Sequence, residues 1–91
     1  MKPNLTKFST VQKGLGAVNC LSVTKSGQFL ASGGHDGQVY FWNLTSGLLV
    51  SKFEGPGRIL VVAFNSANNK LVLTSYGTVT ILELSFHNKV T

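Results

Sequence analysis

Leu30-Ala31-Ser32-Gly33-Gly34-His35-Asp36-Gly37-Gln38-Val39-Tyr40-Phe41-Trp42-Asn43-Leu44 is the stretch that decides the fold. A short strand pattern over residues 28–32 is cut by a glycine-rich turn at 33–37. Residues 38–44 then alternate Val39, Phe41 and Asn43 against Tyr40, Trp42 and Leu44. A period of two is that of a strand, whose successive side chains leave opposite faces of a sheet. Because Phe41 and Trp42 stand back to back, both faces of that sheet must be covered. The turn has its own chemistry. Asp36 can accept backbone N–H groups within it, while Gly37 takes the positive φ that a tight hairpin requires.

Outward from this hairpin the same grammar continues. A strand at 18–24 ends in Lys25-Ser26-Gly27, and a strand at 48–53 follows Thr45-Ser46-Gly47. No window of eleven residues repeats apolar positions at helical spacing, so the chain reads as all-β. After Gly55-Pro56-Gly57 the series restarts, with strands at 59–64, 71–74 and 78–84 separated by Ser66-Ala67-Asn68-Asn69 and Ser75-Tyr76-Gly77. Val18 to Ile59 is 41 residues, and Gly37 to Gly77 and Trp42 to Leu82 are each 40, so a unit of four short strands recurs. The organisation expected is an outer strand or tail at 1–13, a first unit at 14–54 and a second at 55–91. The terminal segments 5–12 and 85–90 are further strand candidates diluted by Lys, Ser, Asn and Thr.

The quoted stretch resembles a WD repeat, of the tryptophan-aspartate family of β-propellers, and residues 59–84 repeat it in degraded form. The resemblance implies an all-β WD-repeat β-propeller fragment of two four-stranded antiparallel blades. It also implies a structural network in which Ser32, Asp36 and Trp42 join a histidine of the family pattern. Here that histidine position, after Lys13, is Gly14, and Asn43 stands where the closing aspartate would be. The second unit departs further, with Gly55 for the histidine, Tyr76 for the turn aspartate, Leu82 for the tryptophan and Glu83 at the acidic end position.

Little in the composition supports chemistry. Three carboxylates, Asp36, Glu54 and Glu83, show no paired spacing for acid–base work. Cys20 falls in an apolar strand, where an inert thiol is the usual outcome, and Cys20, His35 and His87 lack metal-ligand spacing. Gly14-Leu15-Gly16-Ala17 precedes a strand rather than a helix, so it is no dinucleotide fingerprint, and Gly33-Gly34 and Gly55-Pro56-Gly57 lack the Lys-Ser/Thr of a phosphate loop. No catalytic, cofactor or metal site is expected. Eight Lys and Arg give a net charge of +5, but they are spread singly, as solvated strand lysines are. Tyr40 reads as strand packing rather than as a base-stacking platform. A single cysteine and a longest apolar run of only six residues, 59–64, point to an intracellular chain, cytoplasmic or nuclear, without a transmembrane segment.

The resemblance therefore implies a non-catalytic protein–protein interaction scaffold whose partners engage loops and rims. A compact globule of this mass would expose about 5,000 Å², and two blades leave sheet faces open, so completion by further blades or by self-association is expected. An alternative is a self-assembling homo-oligomeric propeller that binds a small ligand such as a sugar. A weaker one is a blade pair that binds RNA or anionic lipid through its basic residues.

Overall fold

In the computed structural model, which describes residues 3–10 and 16–85, seven strands follow one another through short turns: β1 (Val18–Val23), β2 (Phe29–Gly34), β3 (Gln38–Asn43), β4 (Leu49–Glu54), β5 (Val61–Phe64), β6 (Lys70–Ser75) and β7 (Thr78–Glu83). They form two antiparallel sheets in sequence order, β1-β2-β3-β4 and β5-β6-β7. No helix occurs among the described residues. The second sheet has three described strands rather than the expected four, and residues 86–90 of the remaining candidate lie outside the described residues. Residues 3–10 carry no strand and are exposed. The rest of that expected outer strand, residues 11–13, also lies outside.

The 40-residue repetition becomes a repetition of register. Cys20 pairs with Gly33 and Leu21 with Ser32 in the first sheet, and Val61 pairs with Thr74 and Val62 with Leu73 in the second. Leu30 opposite Trp42 has its counterpart in Leu71 opposite Leu82. The offset is 41 residues up to β6 and 40 on β7, because the turn His35-Asp36-Gly37 is shortened to Tyr76-Gly77. The preceding turns match as well. Gly27 has φ +76°, and Asn68, 41 residues later, holds the same left-handed backbone at φ 57°, which asparagine tolerates better than other non-glycine residues.

Two boundaries differ from the sequence expectation, both because the sheets meet there. Strand β2 continues through Gly33 and Gly34, which had read as turn. A Cβ on Gly33 would lie 2.5 Å from Ile59 Cγ2, and one on Gly34 would lie 2.6 Å from the Ala17 carbonyl oxygen. The glycines thus permit close approach rather than reversing the chain. Strand β5 begins at Val61 instead of residue 59. The Ile59 N–H donates across to the Gly34 carbonyl at 3.0 Å, and its fully buried side chain is wedged between the sheets.

The core lies at this interface. Ala31, Val39 and Phe41 of the first sheet pack with Ile59, Val62, Leu71 and Leu73. Phe29 stacks on Phe41 with centroids 5.1 Å apart, and Phe64 of the second sheet meets Phe41 edge-on at 6.1 Å. The backbones approach where β1 and β2 meet β5 and diverge toward β4 and β7. That splay leaves a cleft of about 220 Å³ bordered by Phe41, Phe53, Leu71, Leu82 and Leu84. Total exposure is 6597 Å², above the roughly 5,000 Å² of a closed globule of this mass. Residues 3–10 and strand side chains such as Leu21, Val79 and Ile81 are exposed and contribute to it.

Candidate functional site

The turns 35–37 and 76–77, the connection 55–60 and residues 16–17 all gather at one end of the sheets. Asp36 shapes this end as the sequence suggested. Its Oδ1 accepts the Gln38 N–H at 3.0 Å within the turn, and Gly37 has φ +82°. Its Oδ2 accepts the Tyr40 hydroxyl at 2.8 Å. That hydrogen bond, with burial and the carboxylate's charge adding to it, pushes the Tyr40 hydroxyl pKa above its ordinary value, since a phenolate would face a carboxylate.

Trp42 and Ser32 are joined directly. The buried indole N–H donates to Ser32 Oγ at 3.2 Å, so the nitrogen that accompanies the ring into the core is satisfied. Asp36 reaches this pair through Tyr40, whose ring lies 6.0 Å from that of Trp42. Tyr40 was not among the residues expected in the network. Its signal was parity, since it stands on the same face of β3 as Trp42. Gly14, at the histidine position, lies outside the described residues.

The second unit replaces polar groups with aliphatic ones. Leu73 occupies the register position of Ser32 and Leu82 that of Trp42, and both belong to the apolar core or pack against it. At the other histidine position, a Cβ on Gly55 would meet Ile59 Cδ1 at 2.6 Å and the Gly37 carbonyl oxygen at 3.1 Å, so a side chain there would have to displace the end of Ile59 and crowd that carbonyl. Tyr76, in place of the turn aspartate, is exposed.

The arrangement that sequence reasoning missed is built on the connection 55–60. Hydrogen bonds pin its backbone, among them Gly55 N–H to the Gly37 carbonyl at 2.8 Å, Ile59 N–H to the Gly34 carbonyl at 3.0 Å, and the Ser75 hydroxyl to the Arg58 carbonyl at 2.8 Å. Arg58 is thereby held at the rim with its side chain exposed. Its Nη1 donates to the Tyr76 hydroxyl at 3.3 Å, and its Nη2 lies 3.2 Å from His35 Nε2. An arginine nitrogen can only donate, so the histidine nitrogen accepts. Both partners are uncharged in these bonds, and among the described residues the guanidinium makes no ion pair with a carboxylate. Separations of 18 and 23 residues leave no local pattern by which the trio could have been found.

Asp36 lies in its turn, Glu54 closes β4, and Glu83 closes β7. No three His, Cys, Asp or Glu among the described residues are placed to hold a metal. Burial raises the Cys20 thiol pKa against the opposing effect of backbone hydrogen bonds, and the thiol points at the Gly33 carbonyl 3.6 Å away. It is a protonated, poorly nucleophilic group. His87 lies outside the described residues. No helix among the described residues is long and apolar enough to cross a membrane.

Residues 6–43 match the family model described as WD domain, G-beta repeat. No curated protein matches the chain. The matched span ends at the last residue of β3 and so contains Ser32, Asp36, Tyr40 and Trp42 with the turn that links them. WD-repeat domains are in general non-catalytic scaffolds that bind other proteins. Residues 6–43 are thus similar to a WD repeat, and the two successive all-antiparallel sheets fit part of a propeller of that family.

Proposed function

We propose that the chain is a non-catalytic protein-binding scaffold whose rim at His35, Arg58 and Tyr76 receives an acidic segment of a partner protein. The observation that carries this reading is the exposed Arg58 guanidinium, fixed by a pinned backbone and flanked by two uncharged hydrogen-bonding side chains. An arginine so oriented offers its planar fork to a carboxylate, and the tyrosine beside it supplies a rigid amphipathic surface of the kind that anchors protein interfaces. Steering by the net charge of +5 acts in the same direction.

Fluorescence anisotropy with an acidic peptide set and sequence-scrambled neutral controls tests it. Acidic peptides are expected to bind in preference to neutral ones, and Arg58→Ala to weaken them about tenfold, the loss typical of one charge-assisted hydrogen-bond pair. Equal binding of acidic and neutral peptides, or an unchanged Arg58→Ala protein, would overturn the reading.

A further inference from the structure

The interface between the two sheets has a direction, and each sheet leaves unused the face that the other employs. The first sheet contacts the second with the β3 side chains Val39 and Phe41, together with Ala31. The second sheet receives them on the face of Val62, Leu71, Leu73 and Leu82. By register, Val39 and Phe41 correspond to Val79 and Ile81, and Leu21 corresponds to Val62. Exposure at these corresponding positions is reversed. Val39 is 2% and Phe41 8% exposed, against 68% for Val79 and 62% for Ile81, whereas Leu21 is 62% exposed against 4% for Val62.

Among the described residues, one donor face and one acceptor face are thus left without a second sheet against them. The donor face carries Val61, Val79 and Ile81, all exposed, with Val72 half-buried between them. The acceptor face exposes Leu21, Val23 and Leu49 at its margin, around Ser32, Tyr40 and Trp42, which are buried. Exposed β-branched and leucine side chains grouped on a sheet face mark a surface meant to be covered.

We propose that copies of this chain associate head to tail, the Val79–Ile81 face of one copy seating on the Leu21–Val23 face of the next, in continuation of the contact already made between the sheets within each copy. The occupant follows from that internal contact, in which a face of the donor kind already sits on one of the acceptor kind, with related strands and register. A head-to-tail contact uses two different patches, so it builds a closed ring if the rotation between copies allows and otherwise an open filament. The proposal does not depend on the rim at Arg58, which lies at the end of the sheets rather than on either face.

Blocking the two faces separately tests both the association and its polarity. Ile81→Lys removes the donor face and Leu21→Lys the acceptor face, and both positions are exposed enough that the fold should persist, as circular dichroism will show. Native mass spectrometry and light scattering are expected to find the unaltered chain above monomer mass and each variant as a monomer. Mixed, the variants are expected to form a one-to-one dimer, because each retains the face that the other lacks. The milder pair Ile81→Thr and Leu21→Thr, expected to weaken association rather than abolish it, repeats the test if a lysine variant fails to fold. A monomeric unaltered chain, single variants that still associate, or folded variants that stay monomeric when mixed would each overturn the proposal.

Discussion

The two sheets reach one geometry by different chemistry. In the first, the hairpin is held by Asp36 in its turn, and the covered aromatic carries a satisfied indole N–H. In the second, a two-residue turn replaces the aspartate, and Leu73 and Leu82 stand where Ser32 and Trp42 stood. The same register survives this exchange because the second sheet's face lies directly under the first, where apolar burial stabilises it without polar partners. Polar bonds can therefore be replaced where a neighbouring sheet supplies contact, and they carry more of the stability where it does not.

Truncations at corresponding positions test that contrast, and the largest effect is expected at the tryptophan. Trp42→Ala should lower unfolding free energy by about 3 to 5 kcal/mol in urea titration, since it removes a large buried ring and leaves Ser32 without its indole donor. Leu73→Ala, at a fully buried aliphatic position, should cost about 2 to 5 kcal/mol. If Leu73→Ala proved near neutral, the second sheet would not be held by packing as described. Gly33→Ala comes next, at about 1 to 3 kcal/mol, because its methyl must displace Ile59. A stabilised variant would mean that the sheets do not meet so closely. Asp36→Ala should cost about 1 to 2 kcal/mol through the loss of its turn and Tyr40 bonds.

The smallest effect concerns pH. With its pKa raised by Asp36, Tyr40 favours folding in its neutral form. That contribution is complete below the ordinary tyrosine pKa of about 10 and is lost as pH rises through the higher folded value. Stability measured across that alkaline range should fall less steeply in Tyr40→Phe than in the unaltered chain. Identical slopes would remove Tyr40 from the account.

Strand alternation, the turn chemistry of Asp36 and Gly37 and the 40-residue period were legible in the sequence because each is local or strictly periodic. The pairing of Ser32 with Trp42 was legible through the family pattern. Gly33 and Gly34 misled, because a glycine pair reads the same whether the chain turns or another backbone approaches. Ile59 misled for a related reason: its apolar character fits a strand, while its hydrogen bond to Gly34 belongs to the other sheet. The rim of His35, Arg58 and Tyr76 had no sequence signature, since three separate connections bring it together.

The central claim is that the sheets pack against each other through Phe41, and the edge-on pair of Phe41 with Phe64 offers its most direct test. In a double-mutant cycle of Phe41→Leu and Phe64→Leu, followed by urea unfolding, a coupling energy of about 0.5 to 1.5 kcal/mol is expected for an aromatic pair in contact. Strictly additive losses would show that the two rings do not touch and would contradict the packing of one sheet on the other.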